Sequence, residues 1–503
     1  MQIIDGFLND ITMYRLVLYY LLFLLAGAVL LSFFGVLPYS VWSIVFSVGF
    51  LVVISWLVNT IFGKVFQAPV NPESSLITAL ILALIITPAA TLHDLAFLFW
   101  AAVLSEASKY ILAVGRKHLF NPAALAAALT ALVLGQSASW WVGTASMLPF
   151  VLLGGWLIVR KIRREDLVFS FLIIAAFTTL VFGFLKGGNL LSTGQKIILD
   201  SPLLFLAFVM LTEPLTTPPG RDYRMVYGGL VGFLFAPQVH LGSFYSTPEL
   251  ALLAGNVFSY LVSPKQKLIL RLKEKIQIAP DIYDFLFQSD SKLAFTPGQY
   301  LEWTLSHNKA DSRGSRRYFT IASSPAEEQI RIGVKFAQNA SSFKKALLLM
   351  EKGSQVIASQ TDGDFILPND PTKKLVFIAG GIGITPFRSI LKYLLDTNQK
   401  RDIVLFYTNR EAAEVVYTDV LERARQLLGI RVVYTLTESA PKGWQGRVGR
   451  LDEQILREEI LDFRERIFYL SGPRGMVSLF EEILAKMGVK KGQIKTDYFP
   501  GFA

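Results

Sequence analysis

The 503-residue sequence contains no cysteine. That excludes cysteine-ligated iron–sulfur clusters, thiolate zinc sites, disulfides and thiol catalysis. Histidine is scarce as well: His93, His118, His240 and His307 are the four. Charge is nearly missing from one half of the chain. Residues 1–264 hold 13 Lys+Arg and 11 Asp+Glu, against 36 and 28 in residues 265–503. Mean hydropathy is +0.44, above that of an ordinary soluble protein, and the split places the excess in the first half. The first half therefore reads as membrane and the second as a soluble globular region. The net charge of +10 lies mostly in the second half. Beside a membrane region, an anionic cofactor or lipid surface explains it better than nucleic acid, and no nucleic-acid partner is expected.

Met1–Asp10 has no basic stretch ahead of the first apolar run and no small-residue cleavage site, so that run reads as a retained helix. Ten apolar segments are expected, at 12–35, 41–62, 74–88, 94–113, 121–136, 139–159, 167–185, 201–213, 225–239 and 249–263. With the N-terminus inside, the inner loops hold Lys64, Arg116, Lys117, Arg160, Lys161, Arg163, Arg164, Arg221 and Arg224. The outer loops hold only Lys186 and Lys196. This bias predicts a multi-pass protein of the cell inner membrane with its soluble half in the cytoplasm.

Segments three and eight (73–88 and 200–214) each start acid–Ser, run apolar for three turns and stop at Pro; segments five and ten start NPAALAAAL and TPELALLAG. Both pairs are offset by five segments, which predicts a 5+5 inverted repeat with short helices meeting near the midplane. Glu106 and Lys109 share a helix face and read either as an internal ion pair or as a proton or ion path. Glu213, in LTEPLTTP, reads either as a solvated helix-end residue or as part of that path. The runs KHLFNPA (117–123), MLTEPLTTPPGR (210–221), VYGGLVG (226–232) and TPELALLAGN (247–256) resemble the membrane flavoprotein subunits of the Rnf complex and the sodium-translocating NADH:quinone reductase. The resemblance covers residues 70–264 and implies an electron-carrying membrane domain with FMN, in complexes coupled to ion movement. Those subunits attach FMN to Thr in a Ser-Gly-Ala-Thr-like run, which is lacking here. VGTAS around Thr144 and LSTGQ around Thr193 match it only in part. Non-covalent FMN, or a quinone in its place, stays open.

Residues 265–368 show short alternating strands with turn signals, as in a small antiparallel barrel. Residues 373–503 alternate buried strands with helices, a doubly wound α/β pattern. In RRYFTIASSP (316–325), an Arg on a strand offers a fork to phosphate, an aromatic two residues on shares its face, and a hydroxyl follows; a plain β-strand is the alternative. GGIGITP (380–386) follows a hydrophobic strand and opens a helix, where glycines admit a pyrophosphate and the helix N-terminus stabilises its charge. YLSGPRGM (469–476) places Ser471, Gly472 and Pro473 just after another strand.

Together these motifs resemble the ferredoxin–NADP reductase family over residues 265–503. The resemblance implies FAD held by Arg317, Tyr318, Phe319 and Thr320, with Arg317 on a phosphate, Phe319 against the isoalloxazine and Thr320 on its N5. It further places Ser341 and Ser342 at the flavin pyrophosphate and Gly380, Gly381, Gly383, Thr385 and Pro386 at the nicotinamide dinucleotide. Ser471, Gly472 and Pro473 would lie near the nicotinamide, with Ser where the family has Cys. Thr320 and Ser471 are thus the catalytic candidates, and Phe499 or Phe502 of the DYFPGF tail would stack beside the flavin. No metal site is expected. After the second parallel strand Arg410 suits a 2′-phosphate, but Glu411 and Glu414 repel one, which favours NADH over NADPH.

The sequence thus predicts a polytopic α-helical membrane domain (1–264), an antiparallel β-barrel FAD domain (265–370) and an α/β NAD(P) domain (371–503). The expected activity passes electrons from NAD(P)H through FAD to a membrane flavin, a quinone or a redox partner, with ion translocation as a possible coupling. A haem-containing transmembrane ferric reductase or NAD(P)H oxidase and a redox-gated ion transporter are the alternatives.

Overall fold

The computed structural model describes residues 11–66, 72–114, 117–162, 164–218, 220–242, 244–263, 268–290, 293–307, 311, 315–337 and 340–497. The chain divides into two compact units, Met1–Lys265 and Gln266–Ala503.

The first unit is helical. Helices α1 (Met13–Phe33), α2 (Val41–Val65), α3 (Pro72–Ile85) and α4 (Leu92–Ile111) precede a short hairpin, β1 (Ala113–Val114) with β2 (Lys117–His118), and then α5 (Pro122–Leu134). The order then runs α6 (Leu148–Ile162), α7 (Glu165–Leu185), α8 (Leu190–Leu199), α9 (Leu203–Met210) and α10 (Arg221–Phe235). A second hairpin, β3 (His240–Leu241) with β4 (Phe244–Tyr245), leads into α11 (Pro248–Val262). The helix–hairpin–helix unit thus occurs twice. Both α5 and α11 start on Pro and are capped by the preceding side chain, Asn121 or Thr247. Packing follows the same plan in each half: α1 on α3, α2 on α4 and α4 on α5, then α6 on α9, α7 on α10 and α10 on α11. The glycines of VYGGLVG have a steric reason. A Cβ on Gly228 or Gly232 would come within 2.6 Å of the Leu167 or Phe171 carbonyl oxygen, so α10 lies directly against the α7 backbone.

Three described helices, α1, α2 and α7, are long and apolar enough to cross a membrane. The bent pair α8–α9 (53°) makes a fourth if it counts as one span, and α3, α5 and α11 are shorter apolar helices. The expectation of ten crossing segments is therefore met only in part. Segment 139–159 differs most, because its helix starts at Leu148. Ahead of it, Trp140 takes φ +51° and donates its N–H to the Ile85 carbonyl at 2.8 Å, while the Trp141 indole reaches the Ala83 and Ile86 carbonyls at 3.0 Å each. These donors satisfy the open C-terminus of α3, so the two tryptophans serve as a cap and not as a helical turn. Helix α8 was not among the expected segments; its LLSTGQKIIL is too polar to register as an apolar run.

The second unit begins with six antiparallel strands: β5 (Leu268–Ala279), β6 (Ile282–Ser289), β7 (Tyr300–Thr304), β8 (Arg316–Thr320), β9 (Ile330–Lys335) and β10 (Gln355–Asp362), with α12 (Ser342–Leu348) before the last. They pair in the order β8-β7-β10-β5-β6-β9 around Phe285, Phe287, Trp303, Ile332 and Phe343. Six parallel strands follow: β11 (Leu375–Gly380), β12 (Ile403–Glu411), β13 (Arg431–Ser439), β14 (Arg447–Val448), β15 (Ile467–Ser471) and β16 (Ile494–Asp497). Helices α13 (Thr385–Asp396), α14 (Thr418–Leu428), α15 (Glu453–Glu459) and α16 (Arg474–Lys486) alternate with them. The strand order is β14-β13-β12-β11-β15-β16. Strand β11, LVFIAG, is buried throughout, as a central strand covered on both faces must be. The chain leaves β11 toward β12 and returns on its other side at β15, so the order reverses at β11, where open α/β sheets bind ligands.

Candidate functional site

The carboxyl ends of β11 and β15 place both glycine-bearing loops side by side. Ala379 lies opposite Ser471 in parallel register. A Cβ on Gly383 would come within 2.4 Å of the Ser471 carbonyl oxygen and 2.6 Å of Gly472. A Cβ on Gly380 would strike the Met476 sulfur at 2.4 Å. These glycines let the two loops interlock. Gly381 differs: its φ is +53° and a Cβ there would meet nothing within 4 Å. Its backbone is bare, as a pyrophosphate cradle requires, and α13 opens just beyond it with Thr385 and Pro386 in its first turn. Gly380, Gly381, Gly383, Thr385, Pro386, Ser471, Gly472 and Pro473 are thus brought to one crevice.

The alternation of β8 sorts its side chains. Arg317 is buried, with its guanidinium 5.3 Å from the Phe343 ring centroid, and Phe319 lies 5.8 Å from the same ring. Tyr318 faces the other way, donating to Glu302 at 3.0 Å and meeting the Tyr300 ring edge-on. Arg317 and Phe319 therefore share a face with the start of α12, and Tyr318 does not. The polarity of that face suits phosphate. The Asp311 carboxylate accepts from the Arg317 guanidinium at 3.3 Å and from the Ser342 backbone N–H at 2.9 Å, so a guanidinium and a helix-start N–H already converge on one anion. His307 Nε2 lies 2.9 Å from the Ser342 hydroxyl, and Ser341 caps the helix.

Thr320 closes the constellation. Its hydroxyl donates at 3.0 Å to the carboxylate of Asp497, and both side chains are buried. Asp497 ends β16 directly opposite Ser471. A continuous line therefore runs Ala379, Ser471, Asp497, Thr320, joining the nucleotide crevice to the barrel strand that carries Arg317. Of these four neighbours the sequence singles out Thr320 and Ser471; it does not single out Ala379 or Asp497, and the only signal for Asp497 is an acid ending the last strand. Phe502 and Phe499 lie outside the described residues.

A buried polar network fixes the barrel against the α/β sheet. Arg388 on α13 pairs through both terminal nitrogens with Glu327 at 3.0 Å and reaches the Ala322 carbonyl at 2.6 Å. Burial pushes the Glu327 carboxyl up, but the hydrogen bonds and charge of Arg388 outweigh it and hold the group below its ordinary value. Tyr417, at φ +59°, donates to Asp284, which also pairs with Arg331. Burial, with the Asp284 charge beside it, raises the Tyr417 hydroxyl well above its usual range, so it stays a neutral donor. Gly333 is obligatory here, since a Cβ would lie 2.4 Å from that hydroxyl.

The two acids thought to repel a 2′-phosphate part ways. Glu414 pairs with Lys335 at 2.6 Å, whereas Glu411 is exposed and Arg410 leans toward Glu438 at 3.7 Å. In the helical unit Glu106 and Lys109 do pair, at 2.8 Å, and Glu213 meets His118 instead of standing solvated. His93 and His240 have separate partners, Gln136 and the Gly242 carbonyl.

Residues 377–482 match the oxidoreductase NAD-binding domain. The chain is 28% identical over 233 residues to the stachydrine N-demethylase reductase subunit Stc4 of Rhizobium meliloti, covering 45% of this chain and 65% of that protein. It is 25% identical over 276 residues to the xylene/toluene monooxygenase electron transfer component XylA of Pseudomonas putida, covering 54% of this chain and 76% of that protein. Among solved structures, the flavohem-like FAD/NAD-binding domain of nitric oxide dioxygenase from Vibrio cholerae aligns with a TM-score of 0.41 and 21% identity, over 46% of this chain and 98% of that one. The second unit thus carries the nucleotide-binding domain of NAD(P)H-dependent flavin oxidoreductases, and the chain spans about two thirds of the length of the reductase subunit it matches.

Proposed function

We propose that the chain is a membrane-bound NAD(P)H oxidoreductase whose second unit takes hydride from NADH onto FAD and whose helical unit carries the electrons onward. The observation that supports this best is the line Ala379–Ser471–Asp497–Thr320, which joins a glycine-lined dinucleotide crevice to the Arg317 strand within the chain that also bears the apolar helices. In this reading the Gly380–Pro386 loop binds the dinucleotide pyrophosphate. Arg317, Ser341 and Ser342 hold the flavin phosphates, in the place where the Asp311 carboxylate bridges Arg317 and the Ser342 N–H, and Phe319 lies along the ring system. Bound FAD supplies a two-electron acceptor able to release electrons singly. Thr320 presents its hydroxyl beside the reacting ring edge, and Asp497 fixes that hydroxyl and holds a proton-exchanging carboxyl next to Ser471. The clamp Arg388–Glu327 keeps the two domains apposed and water out of the gap. NADH is preferred over NADPH because Glu411 and Glu438 flank Arg410.

The acceptor in the helical unit is FMN or a quinone, the unit crosses the inner membrane with the second unit in the cytoplasm, and ion translocation is the coupling that the repeated helix–hairpin–helix plan suits. Anaerobic addition of NADH to the purified full-length protein tests the entry step, because it should bleach a bound yellow flavin. Release and counting of flavins under denaturing conditions tests the exit. FAD with FMN means a two-flavin relay, and FAD alone means direct delivery to quinone.

A further inference from the structure

His118 and Glu213 are 95 residues apart in sequence, and their side chains meet in the helical unit with Nε2 and Oε1 at 2.9 Å. Both side chains are mostly buried, with exposures of 11% and 21%. The other Glu213 oxygen accepts from the Asn121 side-chain amide at 2.9 Å and the Thr216 hydroxyl at 3.2 Å. Asn121 is itself pinned: its Oδ1 caps α5 at Ala124 and its N–H donates to Asn256 Oδ1 at 2.8 Å, while the Asn256 amide donates to Tyr227 at 3.1 Å. The carboxylate is therefore fixed by two further donors, and with the Nε2–H tautomer, assigned from its acceptor, it aims the imidazole. A carboxylate so placed orients an imidazole and stabilises the imidazolium, which is what proton transfer by histidine needs. Titratable groups facing the pair include Glu106, within electrostatic reach of His118 and itself paired with Lys109 on α4, and Tyr227 on α10, within reach of Glu213.

We propose that His118 is the proton-exchange group of the helical unit and Glu213 its positioning residue, serving a quinone that is reduced there. This rests on the reading that electrons from NAD(P)H reach an acceptor in that unit. The balance is NAD(P)H + H⁺ + quinone giving NAD(P)⁺ + hydroquinone. Two electrons convert the two C=O groups to C–OH, and two protons complete them. Because only electrons pass on from the flavin, both protons are taken up at the quinone; the one released when the flavin is reoxidised offsets one of them, and the other is the H⁺ of the net balance. From the His118 imidazolium, whose Nε2–H stays on Glu213, the N–H bond at Nδ1 breaks as a quinone O–H forms, leaving the neutral Nε2–H tautomer, and a solvent proton restores the imidazolium.

The test uses the full-length protein in lipid nanodiscs, turned over by NADH with either a short-chain benzoquinone or ferricyanide, which takes single electrons and no proton. His118→Gln should lower quinone reduction about 100-fold and leave ferricyanide reduction and bound flavin unchanged. Glu213→Gln should lower quinone reduction about tenfold, alter its pH profile and leave ferricyanide reduction unchanged, because the imidazole has lost the carboxylate that orients it. His118→Asn guards against a folding defect, and thermal unfolding of each variant monitors one. If the variants keep the parent's quinone rate and pH profile, or lose ferricyanide reduction as well, the pair is structural and the proposal falls. If the parent reduces ferricyanide but no quinone, the underlying reading of the acceptor falls instead.

Discussion

The Thr320 hydroxyl and the Asp497 carboxylate, 177 residues apart, form a buried hydrogen bond of 3.0 Å that ties β8, the end strand of the barrel's pairing order, to the last strand of the parallel sheet. Asp497→Asn keeps the shape and removes the ionisable carboxyl. Flavin content should be retained, and stopped-flow reduction by NADH under anaerobic conditions should slow about 100-fold. A variant reduced at the parent rate would remove Asp497 from the chemistry.

Two glycines of one loop should behave differently. Gly383→Val drives carbon atoms into the Ser471 carbonyl and Gly472, so it should disorder the crevice and lower expression. Gly381→Ala meets nothing within 4 Å and carries only the strain of φ +53°, about 1 kcal/mol. It should fold, keep its flavin and raise the KM for NADH about tenfold by crowding the pyrophosphate. Steady-state kinetics at saturating ferricyanide separate the two.

Glu327→Ala leaves the Arg388 guanidinium buried beside the Ala322 carbonyl with its carboxylate partner gone. The expected cost is about 3 kcal/mol in denaturant unfolding followed by flavin fluorescence. Because the folded Glu327 carboxyl sits below its ordinary value, the parent should lose this stabilisation as pH falls through that value, and the variant should have none to lose.

Asp462 gives a second acid-sensitive contact. Hydrogen bonds from Arg466 and then Lys374 hold its carboxyl at about 2. Its contribution is complete above the unfolded value of about 3.9 and disappears as pH falls toward the folded one. Asp462→Asn should lower the thermal midpoint at neutral pH by about 2 °C, a small effect because the pair is partly solvated, and should flatten the midpoint's dependence below about pH 4.

What the sequence made legible was local. GGIGITP announces a strand–turn–helix because glycine freedom and the helix start lie within seven residues. Arg317, Phe319 and Ser342 could be named from two short runs. Asp497 could not, because its role comes from the register of β15 against β16 and from a barrel strand that packs on their ends. Hydropathy marked where the apolar segments lie but not their path, since Trp140 and Trp141 are as apolar in a cap as in a helix. VYGGLVG stood out as a motif, while the reason for Gly228 and Gly232, the α7 backbone beneath them, exists only in three dimensions.

The most direct measurement is a two-step anaerobic spectrum of the intact protein in lipid. The account predicts that stoichiometric NADH bleaches the bound flavin and that added quinone then restores the colour. Flavin that NADH leaves oxidised, or reduced flavin that quinone cannot reoxidise, would contradict it.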